Sequence, residues 1–276
     1  MHDPVERVAR TLWRDGVPLA GERAIPNEVA IAITYGGSTQ AVMMATPADL
    51  EDFALGFSIT EGLIAQASDI QSLEVIQEEE GIELRMWLVP ELGENLSRRR
   101  RLLAGPTGCG LCGIESLSEA VKPPRQVAPG AALMPTQIST ALDELSRHQI
   151  FNRETRAMHA AGFWDLQDGL VAVREDVGRH NALDKLAGHL LRSGRSPATG
   201  IVALTSRVSV EMVQKAAAIG APVIAAISAP TALAIRTAEA SGITLIAVVR
   251  GGEFEVFTQF GAIGDMAVPR LADSAA

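Results

Sequence analysis

The apolar positions along the chain fall into two rhythms. Between residues 28 and 89 they fall in short runs separated by turn residues. Residues 28–34 predict a strand, Gly36-Gly37-Ser38 a turn, and residues 39–45 the returning strand. Thr46 then reads as the cap of a helix with Pro47 at its first position and Asp49, Glu51 and Asp52 in its first turn. That helix carries Leu50, Phe53, Ala54 and Phe57 and stops near Gly62. Residues 70–78 and 82–89 predict a second hairpin across Glu79-Glu80-Gly81. Beyond residue 135 the apolar runs are longer and alternate with helical periods. Helices are expected at 136–148, 180–192, 208–219 and 231–241. Strands are expected at 157–165, 170–175, 201–205, 222–227, 243–249 and 253–257. Residues 1–26 and the tail after 258 carry no pattern that assigns an element.

Apolar strands separated by helices imply a mostly parallel sheet covered on both faces. The order α-β-β-α-β-α-β-α-β is that of the cytidine-deaminase fold. A zinc deaminase needs H-x-E at one helix start and P-C-x-x-C at the next. The corresponding helices open with Arg179-His180-Asn181-Ala182 and Ser206-Arg207-Val208-Ser209, so the zinc motif is absent. The expected class is therefore α/β, a cytidine-deaminase-like mixed sheet covered by helices, with a smaller α+β N-terminal part. The boundaries are an N-terminal part at 1–104, a loop and linker at 105–130, and the α/β domain at 131–276. Pro123, Pro124 and Pro129 mark the linker, and a short helix is expected at 114–121.

Composition narrows the classes. Aromatics are 4% and apolar residues 47%, so the core is built from Ala, Val, Leu and Ile. A net charge of −9 argues against a general nucleic-acid or anionic-membrane binder. Residues 216–235 form an uncharged stretch as long as a membrane span, yet Gly220, Pro222, Ser228, Pro230 and Thr231 break it into short elements. Residues 1–6 lack the apolar core of a signal peptide.

Two cysteines occur, both in Gly108-Cys109-Gly110-Leu111-Cys112-Gly113. Two so close cannot form a disulfide framework, which fits a reducing, cytoplasmic compartment. Half a zinc site, a thioredoxin-type redox pair, two incidental surface thiols and nucleophilic thiolate chemistry all remain open for them. The four arginines Arg98 to Arg101 and a following helix N-terminus favour a lowered thiol pKa. A thiolate can take a sulfane sulfur by the attack that drives disulfide exchange.

A second candidate region is the row of strand ends. Thr205-Ser206-Arg207, Ser228-Ala229-Pro230-Thr231 and Arg250-Gly251-Gly252 each follow a strand, and a parallel sheet places them on one edge. Hydroxyls, arginines, permissive glycines and helix N-termini suit a phosphate or pyrophosphate. No G-x-G-x-x-G and no P-loop is present, so a standard dinucleotide or ATP site is not supported. Arg179, His180 and Asn181 either face this edge or belong to ordinary capping, with Asp176 as cap and Arg179 paired to Asp184. His159, inside a strand, reads more readily as a core histidine than as a catalyst.

The chain resembles the formate dehydrogenase accessory sulfurtransferases, the FdhD/NarQ family. The matching stretches are residues 108–113, residues 174–185 (REDVGRHNALDK), Ser206-Arg207 and residues 228–231, within a likeness running from about Asn27 to Phe257. The resemblance implies a homodimeric, cytoplasmic sulfur carrier with a deaminase-like fold. It implies sulfane sulfur taken from a cysteine desulfurase and passed to molybdenum bis(molybdopterin guanine dinucleotide) before that cofactor enters formate dehydrogenase. By match, Cys109 is the persulfide-bearing residue and Cys112 its helper. The implied cofactor contact falls on Val248, Val249, Arg250, Gly251, Gly252 and Glu253, and Ser206, Arg207, Thr231 and His180 join it on the strand-end edge. The alternative is a cofactor-binding chaperone that moves no sulfur. The approach to the histidine departs from the family pattern, reading Thr155-Arg156-Ala157-Met158-His159 where Thr-Gly-Gly is expected.

Overall fold

The structure is a computed structural model that describes residues 2–94, 96, 125–261, 263 and 264. Cys109, Cys112, Arg98 to Arg101 and the helix expected at 114–121 lie outside the described residues.

The first two strands come from the segment to which the pattern assigned nothing. Strands β1 (Val5–Arg14) and β2 (Val17–Pro26) pair antiparallel as a sheet of their own. Asp15 and Gly16 join them with φ of 52° and 78°, the geometry of a two-residue type I′ turn. Asp-Gly was the legible signal; Pro18 and Gly21 in the second strand masked it.

A four-stranded sheet follows, in the order β4-β3-β6-β5: β3 (Val29–Tyr35), β4 (Ser38–Ala45), β5 (Ile70–Gln77) and β6 (Ile82–Leu88). Its inner face, with Ile31, Ile33, Leu84 and Met86, is covered by helix α1 (Leu50–Thr60) through Phe53, Ala54 and Phe57. Thr46 does not cap α1. The helix starts at Leu50, after Asp49 in the left-handed region at φ 52°. Thr46 is instead fully buried, and all its polar groups are taken. Its N–H donates to Asp176 Oδ2 (3.0 Å), its carbonyl accepts from Lys185 Nζ (2.8 Å), and its hydroxyl accepts from the Val177 N–H (3.2 Å).

The larger sheet has six strands in the order β12-β11-β10-β9-β7-β8. These are β7 (His159–Asp165), β8 (Gly169–Asp176), β9 (Gly200–Leu204), β10 (Val223–Ala226), β11 (Thr244–Arg250) and β12 (Glu253–Thr258). It is mixed: β9, β10 and β11 are parallel, while the β7–β8, β7–β9 and β11–β12 pairs are antiparallel. Helix α2 (Pro135–His148) packs Ile138, Ala141, Leu142 and Leu145 on one face. A six-residue helix, α3 (Ile150–Thr155), absent from the expected order, follows it. The other face is covered by α4 (Arg179–Ser193), α5 (Val210–Ala218) and α6 (Ala232–Ser241), through residues such as Leu183, Leu186, Met212 and Ala234. Among the described residues no helix is long and apolar enough to cross a membrane.

The two sheets meet through α1 against α4. A Cβ on Gly56 would fall on the Asp184 carbonyl oxygen, and one on Gly188 on the Asp52 carbonyl oxygen, so the helix backbones touch. Ion pairs flank the crossing. Asp52 binds Arg174 and Arg192, each at 2.7 Å. Lys215 binds Asp184 and Glu61, each at 2.9 Å. Burial disfavours the Lys215 ammonium, but Asp184 and Glu61 outweigh it and hold its pKa above the ordinary value.

Two substitutions test this junction by urea denaturation. Gly188→Ala places a methyl group where backbone already stands and should lower stability by about 3 kcal/mol. Lys185 Nζ lies 2.7 Å from Asp176 Oδ2 with both side chains fully buried, so Lys185→Met leaves that carboxylate without its counter-ion and should cost about 3 kcal/mol or more. An unchanged midpoint in either variant contradicts the packing described.

Candidate functional site

Strands β8, β9, β10 and β11 all run the same way, so their carboxyl ends share one edge. The three loops chosen from the sequence do lie on it. The Val208 N–H donates to the Ala229 carbonyl and the Thr231 N–H to the Val208 carbonyl (2.9 Å), which ties the loop after β9 to the loop after β10. Helices α4, α5 and α6 all begin at this edge, so three positive helix ends point outward along it.

Each expected residue has a definite place. Ser206 is buried, its hydroxyl donating to the Arg207 carbonyl at 2.9 Å, while Arg207 is exposed. Thr231 is the N-cap of α6 and accepts from the Ala234 N–H at 3.2 Å, so part of its hydrogen-bonding capacity goes to the helix. Val248 sits in a bulge of β11 at φ 56°, strained for a β-branched residue, and Val249 is buried beside it. Arg250 and Glu253 are exposed and face each other across the β11–β12 turn, where Gly251 and Gly252 have φ of 57° and 91°. A Cβ on either glycine would meet nothing within 4 Å, so the turn is open to close approach.

His180 stands in the first turn of α4. Its Nε2 lies 3.5 Å from Ser209 Oγ and 3.9 Å from Glu211 Oε2. His159 is half-buried and opens β7 on the same edge, opposite Asp176 in register. The edge therefore gathers His159, Arg179, Ser209 and Glu211 beside the expected set, and Arg179 Nε is buried with no hydrogen-bond partner among the described residues. The Arg179–Asp184 pairing entertained from the sequence is not formed, because Asp184 is taken by Lys215 and Thr60. Asp176 is no helix cap either. It is fully buried, its Oδ2 2.7 Å from Lys185 Nζ and its Oδ1 accepting from the Gly178 N–H and Asn181 Nδ2. Register pairing hid the position of His159; only the order of strands reveals it.

The opposite edge is anchored differently. Arg125 Nη1 donates to the Ala218 carbonyl at 3.1 Å and the Val127 N–H to the Ser241 carbonyl at 2.8 Å, at the carboxyl ends of α5 and α6. A cavity of about 380 Å³ opens there beside Arg125, Leu190 and Arg195 and contains no residue chosen from the sequence.

Burial, and then the neighbouring Arg179, pull both His159 and His180 below the ordinary 6.5. Folding therefore favours their neutral forms. The associated stability is fully present above about pH 6.5 and is lost as pH falls through the lowered folded-state values. NMR titration should show both imidazoles protonating below the unfolded reference. Titration at or above it contradicts the burial described.

Comparison with known proteins agrees with this architecture. The family model described as "FdhD/NarQ family" matches residues 26–263. A relative from Agrobacterium fabrum described as "Sulfur carrier protein FdhD" is 57% identical over 92% of this chain and 94% of its own length. One of the same description from Cupriavidus necator is 50% identical over 89% of this chain and 85% of its own. A crystal structure from Desulfotalea psychrophila, described as that of a "putative formate dehydrogenase accessory protein", superposes with a TM-score of 0.71 at 26% identity, covering 92% of this chain and 97% of that one. With a family model spanning most of its length and relatives this similar, the chain belongs to the FdhD/NarQ family.

Proposed function

We propose that this chain is a sulfur carrier for the maturation of formate dehydrogenase. In this reading it takes sulfane sulfur from a cysteine desulfurase as a cysteine persulfide. It then transfers that sulfur to molybdenum bis(molybdopterin guanine dinucleotide), the client cofactor and hence a substrate here. The names of the relatives support the carrier role, and the description of the similar structure supports the link to formate dehydrogenase. The observation that carries the cofactor reading is the strand-end edge. It brings Arg207, Arg250, the open Gly251-Gly252 turn and three helix N-termini to one side of the sheet. A polyanion needs such a set of cations and N–H donors.

The chemistry balances with the two thiols alone up to the last step. Cys109 thiolate attacks the outer sulfur of the desulfurase persulfide; that S–S bond breaks and the desulfurase thiolate leaves. Cys112 thiolate then attacks Cys109 Sγ. Hydrosulfide departs toward molybdenum and a Cys109–Cys112 disulfide remains, to be reduced by a cellular dithiol. A reducing cytoplasm suits this cycle. Val248, Glu253, Thr231 and His180 complete the surface on which the guanylated cofactor docks, while the buried Ser206 and Val249 shape the loops beneath it. The family reading also makes the working unit a homodimer.

Mass spectrometry after incubation with a desulfurase and cysteine tests the carrier. A sulfur adduct should persist in Cys112→Ala and vanish in Cys109→Ala; the opposite pattern exchanges the two roles. A double Cys→Ser variant should fail to yield active formate dehydrogenase, and full activation by it would leave a cofactor chaperone that moves no sulfur. Arg250→Ala should weaken guanine nucleotide binding about tenfold or more, the size of a lost charge-assisted hydrogen bond. Unchanged affinity removes Arg250 from the docking surface.

A further inference from the structure

Arg179 is a cation without an anion. It makes no hydrogen bond or ion pair with any of the described residues, and its Nε is cut off from solvent. An unmatched buried donor is costly, and a native structure that keeps one has a use for it. Two imidazoles stand beside this guanidinium. His159 comes from the start of β7 and His180 from the first turn of α4, and of all charged groups Arg179 acts most strongly on each. The loop after β9 closes the place from a third side. The Ala160 N–H donates to Thr205 Oγ1 at 2.8 Å and the Thr205 N–H to the Ala160 carbonyl at 3.1 Å, which lays that loop beside His159. Ser209, the N-cap of α5, makes no side-chain cap bond, and its hydroxyl lies 3.5 Å from His180 Nε2.

The neighbouring charges are engaged elsewhere. Asp176, opposite His159, is matched by Lys185. Around His180, Lys215 and Glu61 pair with each other, and Glu211, half exposed, lies 3.9 Å from Nε2. The first N–H groups of α4 are also uncapped, because Gly178 precedes the helix and has no side chain to offer them. Helices α4 and α5 correspond to the two on which a zinc deaminase carries its metal ligands. Here they set a fixed guanidinium in that place, and what fits against it is an anion. The Arg250 turn is a separate grip. Strands β9 and β10 lie between β7 and β11, so three strand spacings, about 14 Å, divide the two.

We propose that Arg179, flanked by His159 and His180, is a phosphoryl-binding subsite of the strand-end edge, gripping a diphosphate of the guanylated cofactor away from the Arg250 turn. The inference rests on the cofactor reading for the identity of the ligand, and adds to it the residues that hold one of its phosphates. The phosphoryl oxygens accept from the guanidinium and from the free N–H groups at the start of α4. Burial, and then Arg179, hold both imidazoles neutral. A phosphoryl group against Arg179 offsets the guanidinium charge, so its arrival draws protons onto His159 and His180. Affinity therefore rises as pH falls toward the range in which the two imidazoles titrate.

Histidine NMR of the full chain with inorganic pyrophosphate tests it, against sodium chloride at equal ionic strength. Pyrophosphate should raise the pH at which His159 and His180 titrate by about one pH unit. It should leave His189, beside Asp52 on the far part of α4, where it is. Arg179→Gln should weaken pyrophosphate binding about tenfold or more and abolish the rise. It should not lower the urea midpoint, since the guanidinium has no protein partner to lose; a lowered midpoint would reveal one and overturn the subsite. Arg250→Ala should leave pyrophosphate binding and the rise in place, and loss of both would merge the two grips into one. Imidazoles that do not respond in the wild type, or a rise that survives Arg179→Gln, also overturn the proposal. GDP bound through Arg250 while pyrophosphate leaves the imidazoles silent sinks this subsite alone. Imidazoles that answer pyrophosphate in a chain that does not bind GDP keep the subsite and sink the cofactor reading.

Discussion

The carboxylate of Asp176 is fully buried, and the placement of the strand-end edge follows from the groups that meet it there. Lys185 supplies the counter-charge, while the N–H groups of Thr46 and Gly178 and the amide of Asn181 occupy the remaining lone pairs. A charge so buried is tolerable only when it is fully matched. The match has a geometric effect. Thr46 belongs to the N-terminal part, Asp176 ends a strand of the large sheet, and Lys185 lies one turn and a half into α4. One ion pair therefore fixes how the turn at residues 177–180 leaves the sheet. Arg179 and His180 stand at the edge for that reason.

The same junction explains the abundance of small residues. Two helices whose backbones touch have no layer of side chains between them, so their separation is set by Gly56 and Gly188. At the point of closest approach the contact is backbone against backbone, and apolar side chains such as Phe53, Phe57 and Leu191 pack beside it. The ion pairs of Asp52 and of Lys215 stand around it, partly or wholly shielded from solvent. Strong long-range pairing at the rim and tight backbone contact at the centre are two sides of one arrangement.

Much of this was legible in the sequence because strands and helices of the large sheet obey simple periods. The strand ends near residues 205, 227 and 250 needed only the inference that the strands are parallel. What stayed hidden depended on partners far away in the chain. Thr46 has the look of a cap, yet Asp176 and Lys185, more than a hundred residues on, claim it. Asp184 looks like a partner for Arg179, yet Lys215 reaches it from another helix. The hairpin β1–β2 is hard to read from sequence because proline and glycine weaken its alternation, although Asp15-Gly16 announces the turn. Periodicity cannot say at which end of a strand an edge lies, so from the sequence His159 reads more readily as a core residue, whereas it stands half-buried at the strand-end edge. The two cysteines stand on their motif alone and lie outside the described residues.

The pinning of Arg125 and Val127 to the far ends of α5 and α6 sets a bound. Thirteen peptide steps separate Cys112 from Arg125, so Cys112 lies within about 45 Å of that anchor. The seven residues of β11 measure the passage from one edge of the sheet to the other, about 23 Å. The depth of the sheet is thus about half the radius the anchor permits, and covalent geometry places no bar between the cysteine motif and the strand-end edge.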